Sequence, residues 1–461
     1  MLFKATITKI LFTSSVFLAC QGIYAAGVMR NIKSMDLVHD MKIGWNLGNT
    51  LDATDGSGLN TETSWGNPVT TKAMLDLIKA KGFKTVRIPV TWNKHFGEAP
   101  DYAIDNAWLD RVEEVVNYVL DNQMYAILNT HHDEWVTLTT ASQTQITDKL
   151  VKIWNQIANR FKDYSDYLVF ETLNEPRLYG TQYEWNGGTP EARSVLNAYN
   201  AAVVSAIRAT GGNNALRHIM IPTHAATAMA VAQDALVIPN NDSRIIISQH
   251  TYWPYSFTMQ EPGTNTWGTD KDKAECDAEL DRIRAKFVSR GIPVVIGEWG
   301  TVNKNNTAAR AFHAEYYTRA VIERGMLPVW WDNGFEGLNT GFALLDRKNL
   351  GWHFPEIADA LIKGTNNWIP LNNRKAKECN FQVRSLSSSS GVISYTLNQR
   401  SDLTLHAFDM QGRVAFKLIR SAQPAGQYKI DLTGSGIPAG FYMLDLKAGN
   451  YSESGNVRIL Y

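Results

Sequence analysis

Two carboxylates that flank one bond can break it without a cofactor, and the chain places candidates for this at the ends of apolar runs. VFETLNEPR (Val169–Arg177) holds Glu171 and Glu175, and IGEWG (Ile296–Gly300) holds Glu298. Glutamates on either side of a glycosidic bond hydrolyse it when one, protonated, donates to the leaving oxygen and the other, ionised, attacks the sugar; retention of configuration needs them about 5–5.5 Å apart. VFETLNEPR also holds Asn174, and other apolar runs contain or end in polar or aromatic residues too: Asn46 and Asn49, Arg87, His131 and His132, His250 and Tyr252, Trp331 and Asp332. A lone NEP or a lone histidine at such a place is common by chance. Six run ends of this kind are not.

Something must bring those ends together. From Met41 to about Lys363 short apolar runs alternate with longer segments of helical period. The runs are KIGWNLG, TVRIPV, YAILNTHH, LVFETLNE, HIMIPT, IIISQHTY, PVVIGEW and LPVWWDN, with helical segments such as TTKAMLDLIKAKG and WLDRVEEVVNYVLD between most of them. The fifth helix, near Ala226–Ala235, has the weakest pattern. Strands alternating with helices imply a parallel sheet, and eight βα units in roughly 320 residues imply a closed (β/α)8 TIM barrel, whose site lies at the C-terminal strand ends. Past Gly364 the texture turns polar, through Asn366, Asn367, Asn372 and Asn373 to the serine run Ser387–Ser390. Short alternating runs with QG, PAG, GSG and AGN turns follow, the pattern of a small all-β sandwich. The expected division is 1–26 signal peptide, 27–365 barrel, 366–390 linker and 391–461 sandwich.

Composition narrows the partner. In 461 residues, 45 basic and 45 acidic side chains cancel, which leaves no electrostatic footprint for nucleic acid or an anionic membrane. Fourteen tryptophans and eighteen tyrosines offer flat faces on which sugar rings stack, although a large core also consumes tryptophan. At the N-terminus Lys4 and Lys9 precede an apolar run, Ile10–Ala19, and small residues Ala25, Ala26 and Gly27. That reads as a secretory signal rather than a membrane span. Cys20 offers a lipid-modified terminus as the alternative, against which Phe17 stands where a lipobox prefers leucine. Cys276 and Cys379 then remain, too few for a disulfide framework, and the sequence leaves open whether they pair.

The motifs GWNLGNTLDA, VRIPVTW, NTHHDEW, FETLNEPR, QHTYWPY, IGEWG and WWDNG, in this order, resemble glycoside hydrolase family 5, most closely its subfamily 4 endoglucanases, over about Met35–Ala360. The resemblance implies a secreted bacterial endo-β-1,4-glucanase (cellulase) acting on a β-glucan polysaccharide without cofactor or metal, as a monomer. It assigns the acid/base to Glu175 and the nucleophile to Glu298, with Arg87, His131, Asn174, His250, Tyr252 and Trp331 in support; His132, at the same run end as His131, is a further candidate for substrate support. Asn49 and Asp52 fall where relatives meet the sugar one unit further from the cut. In those positions Asn174 can donate to the sugar 2-hydroxyl, Arg87 and Tyr252 can hold Glu298 ionised, His250 can bond the acid/base, and Trp331 offers a stacking floor. Trp135, Trp253 and Trp267 are candidates for neighbouring subsites. Related enzymes also cut xyloglucan, mixed-linkage glucan, xylan or mannan.

Two rival readings compete. His131, His132 and Asp133 could hold a zinc ion, leaving the glutamate pair and Trp331 unexplained. A carbohydrate-binding protein without catalysis would have no need of both carboxylates. The tail, VAFKLIRSAQPAGQYKIDLTGSGIPAGFYMLDLKAGN, resembles the C-terminal sorting domain of proteins exported by the type IX system, with a generic or glycan-binding β-sandwich as the alternative. Alternation along one strand puts Glu171, Leu173 and Glu175 on one inward face, with Glu171 about 13 Å deeper. A carboxylate at that depth requires a polar partner from a neighbouring strand, so Glu171 is expected to brace the fold.

Overall fold

Runs of aliphatic and β-branched residues form eight parallel strands: β1 (Gly44–Asn46), β2 (Thr85–Ile88), β3 (Tyr125–Asn129), β4 (Leu168–Glu171), β5 (Ile219–Thr227), β6 (Ile245–His250), β7 (Val294–Trp299) and β8 (Leu327–Trp330). They hydrogen-bond in chain order and close, β1 pairing with β8, so the chain is a TIM barrel. This computed structural model describes residues 27, 29–366 and 368, and 392–459 apart from 398–399, 410–412, 425, 433–434 and 449–450. Residues 1–26, expected as a signal segment and including Cys20, and nearly all of the expected linker with Cys379 lie outside the described residues.

The intervening helices form for local reasons. In Asn106–Asp121 the apolar residues Trp108, Val112, Val115, Val116 and Val119 recur at helical spacing and are buried against the barrel, while the Asp105 side chain accepts the Ala107 N–H at the N-terminus. Asp270–Lys286 starts with a capping box between Thr269 and Asp272. The fifth unit departs from the expected pattern. Its strand runs on to Thr227 with Ala225 and Ala226 at positive φ (51° and 48°), and its helix is reduced to Ala230–Ala235.

Strand alternation sorts the barrel interior into layers. Ile127, Val169, Ile246, Val295 and Leu327 form an apolar inner cluster low in the barrel, while Leu128, Phe170, Ile247 and Ile296 face outward to the helices. Above the apolar layer the inward positions are polar: Asn46, Arg87, Asn129, Glu171 and Ser248, all buried. That switch marks where packing ends and the site begins.

After β8 a short hairpin, β9 (Leu345–Asp346) and β10 (Gly351–Trp352), precedes the helix Pro355–Gly364. The compact unit containing the barrel extends to Trp368, whose indole Nε1 donates to the His39 carbonyl at 2.7 Å. The second unit, Ile369–Tyr461, holds strands β11 (Val392–Leu397) to β16 (Tyr451–Ile459) in two sheets, β11 pairing with β14 (Gly426–Asp431) and β12 (Ser401–Phe408) lying between β13 (Val414–Gln423) and β15 (Gly440–Ala448). Ile393, Tyr395 and Ile430 of one sheet share a buried cluster with Leu403, Leu405 and Leu444 of the other, as in a sandwich. No helix among the described residues is long and apolar enough to cross a membrane.

Candidate active site

At the C-terminal mouth of the barrel the two strand-end glutamates come together. Glu175, His250 and Glu298 each bring one ligand-type atom within 4.8 Å of the others, so a carboxylate oxygen of Glu175 and one of Glu298 are within that distance. The Arg87 guanidinium supports this arrangement from below. It donates through Nη1 to Glu298 Oε1 (2.8 Å) and to Asn46 Oδ1 (3.0 Å), through Nη2 to Asn174 Oδ1 (2.6 Å), and through Nε to Glu171 Oε2 (2.8 Å). Buried yet bonded to two carboxylates, it stays charged. With its carbonyl oxygen taken by Arg87, the Asn174 amide offers its NH2 to the cleft.

Glu171 is wholly buried and also accepts from Asn129 (2.9 Å) and Ser248 (2.5 Å). It therefore has the polar partners its depth demanded, but it is not remote from the mouth, because one guanidinium links its carboxylate to that of Glu298. The regular strand ends at Glu171, and Leu173 packs in the outer cluster, so alternation does not carry on to Glu175 as expected from sequence. Glu171→Gln leaves Arg87 short of one negative charge and turns an amide toward three donors. It is expected to cost about 3 kcal/mol of stability, measurable by thermal unfolding, with turnover falling as Arg87 loosens. Unchanged unfolding would contradict the bracing role.

Asn129 orients His131. Its Oδ1 accepts the Val90 N–H (3.1 Å), so its amide nitrogen donates to Glu171 and, at 3.1 Å, to His131 Nδ1. The imidazole must then carry its hydrogen on Nε2, which faces Asp52 Oδ2 at 4.0 Å and Glu298 Oε1 at 3.9 Å. Burial, then the neighbouring His132 and Arg87, push its pKa well below the usual value, so it is neutral. His132 is pushed to about 4, also mainly by burial. Asp52, buried, accepts the backbone N–H groups of Asn49 and Thr50 and is pushed up to about 6 by burial, a supporting place beneath the histidines. Asn49 lines a separate cavity of about 670 Å³ with Trp65 and Phe335. Asp133 turns its carboxylate to the Trp92 and Asn93 N–H groups and the Trp135 indole, and the carboxylate that comes within 4.8 Å of both His131 and His132 is that of Asp52 instead.

The two carboxylates at the mouth sit in different surroundings. Glu298 accepts from Arg87 and, at 3.0 Å, from the Tyr252 hydroxyl. Burial, with repulsion from Glu175, pushes Glu298 above the usual carboxylate range against the pull of His250 and Arg87, while its two direct donors bond the charged form better than the neutral one. Glu175 meets His250 Nδ1 at 2.7 Å. Burial would raise it, but the bond and charge of His250, with Arg177 beyond, hold it low, and His250 is raised despite burial by Glu298 and Glu175. Neighbouring carboxylates cannot both ionise freely, so Glu175, Glu298 and the His250 between them titrate as one coupled set.

A cavity of about 780 Å³ opens over the pair, lined among others by Asn174, Tyr252, Trp253, Trp331 and Trp185. The Trp331 indole lies parallel to His131 (3°, 5.8 Å) and passes so close over Gly48 that a Cβ there would meet it at 2.7 Å. Of the loop tryptophans, Trp253 lines the cavity, Trp135 packs on Phe96, and Trp267 is 8% exposed among Phe312, His313 and Tyr316, a core residue rather than a subsite. Trp185, 58% exposed, and Trp65 were missed by the sequence reading; each is an aromatic stranded in a polar loop, the signal that could have found them.

Against known proteins, the sequence profile described as Cellulase (glycosyl hydrolase family 5) matches residues 51–337. Cellulase/esterase CelE of Acetivibrio thermocellus is 54% identical over 78% of this chain, which spans only 43% of that longer protein. Endoglucanase B of Clostridium cellulovorans is 50% identical over 78% of this chain and 83% of its own length. A solved structure described as a GH5-4 broad specificity endoglucanase from Clostridium acetobutylicum superposes with a TM-score of 0.70 at 52% identity, covering 72% of this chain and all of that one.

Proposed function

The chain belongs to glycosyl hydrolase family 5, the cellulase family, and from that membership and the geometry of its site we propose that it is an endo-β-1,4-glucanase that cuts cellulose and related β-glucans with retention of configuration. The observation that carries the mechanism is the approach of Glu175 and Glu298 within 4.8 Å at the mouth, each with its own set of partners. Glu175, in its protonated form, gives its proton to the glycosidic oxygen as the bond from C1 to that oxygen breaks. The Glu298 carboxylate bonds to C1 from the opposite face. Water, deprotonated by the Glu175 carboxylate, then attacks C1, the ester to Glu298 breaks, and both carboxyls return to their starting states. Asn174 donates to the 2-hydroxyl as charge develops on the ring, and Trp331 stacks beneath the same sugar.

The cleft supports internal cutting, since its cavity is bordered by exposed Trp253 (39%), Tyr255 (56%) and Trp185, which a chain can lie across. Every residue invoked comes from one barrel, in keeping with a monomer. The apolar leader supports secretion, and the tail motif supports sorting to the bacterial surface. The test is a product profile on carboxymethyl cellulose, xyloglucan, lichenan and mannan. Endo-cutting of β-1,4-glucan lowers viscosity well before reducing ends accumulate; reducing ends released with little viscosity loss would instead indicate attack from chain ends.

A further inference from the structure

Glu175 has a second cationic neighbour that the reaction as described does not use. Arg177, two residues on in the loop after β4, has Nη1 at 3.6 Å from Glu175 Oε2 and donates from it to the Glu175 carbonyl at 3.0 Å. Its Nε donates to Glu184 Oε1 at 3.0 Å and its Nη2 to the Tyr179 hydroxyl. Its guanidinium lies against the rings of both Tyr179 (3.9 Å) and Trp185 (4.5 Å). Glu184 is itself tied to the loop by the Gly180 N–H at 2.9 Å. A flexible side chain fixed by two rings, a carboxylate and a carbonyl is held to one position. Trp185 keeps 58% of its surface exposed and lines the cleft cavity.

We propose that Arg177 is a positioning residue for proton delivery: gripped by Trp185, Tyr179 and Glu184, it fixes the Glu175 carboxyl and sets how readily it parts with its proton. This rests on Glu175 being the acid/base. The groups facing that carboxyl are His250 and Tyr252 from the end of β6, Glu298 from β7, His132 and Glu134 after β3, and Arg177 and Tyr179 from its own loop, with Arg87 behind Glu298. Arg177 and a protonated His250 favour the charged carboxylate, whereas Glu298 disfavours it. Removing the Arg177 charge raises the proton affinity of Glu175, so the alkaline limb of activity moves to higher pH while delivery through the loosened carboxyl slows.

The experiment measures kcat/KM against pH for the full chain and for Arg177→Gln and Arg177→Lys, on a soluble β-1,4-glucan and on 2,4-dinitrophenyl β-cellobioside, whose leaving group departs without a proton. For Arg177→Gln a loss of about tenfold or more is expected on glucan and less than about threefold on the aryl substrate, with the alkaline limb about half a pH unit higher. Arg177→Lys, which keeps the charge but not the flat stack, should restore the limb and only part of the rate. Equal losses on both substrates, or an unchanged profile, overturn the proposal. Failure of the unmodified protein to cut β-glucan would count against the functional reading instead.

Discussion

Glu298→Gln is expected to lower hydrolysis of soluble β-glucan by about 10⁴-fold or more while leaving glucan binding within a few-fold. Glutamine fills the same space but has no charge with which to attack C1, and its amide donates where Arg87 and Tyr252 also donate. Binding should persist because Trp331, Asn174 and the exposed aromatics of the cleft are untouched. Turnover on a soluble glucan and calorimetric binding of a cellooligosaccharide check the two halves separately. Activity within tenfold of the unmodified enzyme would remove Glu298 as nucleophile, and hydrolysis lost together with binding would point to a collapsed cleft.

Glu175→Ala is expected to lower kcat/KM on glucan by about 10²–10⁴-fold, the usual worth of a positioned acid or base. The loss should nearly vanish in the first step on an activated aryl cellobioside, and the alkaline limb of the glucan profile should disappear with the group that makes it. The second step still lacks its base. Added azide, which needs no deprotonation, should therefore restore turnover on the aryl substrate and yield a β-glycosyl azide. A variant equally impaired on both substrates and indifferent to azide would assign Glu175 another role.

Much of this was legible in the sequence because a parallel barrel turns chemistry into a local signal. A polar residue ending an apolar run stands at the mouth, and Glu175, His250 and Glu298 are legible as neighbours there on that ground alone. Partnerships across the barrel were harder to read. That Arg87 serves Glu171 and Glu298 at once depends on where β2 lies relative to β4 and β7. Glu171 reads as remote from the mouth only if alternation is continued past the end of β4, where Leu173 instead joins the outer packing. Loop tryptophans failed in both directions: Trp267 folds under Phe312 and His313, whereas Trp185 stays in the cleft, and only the tertiary path of each loop decides between them. Asp133 looked like a third metal ligand from its neighbours in sequence, but three nearby N–H groups claim it.

With Glu298 as nucleophile and Glu175 as acid/base, the proposed reaction has one stereochemical outcome, which proton NMR of the first product can read directly. Following a cellooligosaccharide during the first minutes of cleavage, before mutarotation, should show the β-anomer of the new reducing end appearing first and the α-anomer growing in later. An initial α-anomer would mean a single displacement by water, and would contradict Glu298 as a nucleophile acting with Glu175.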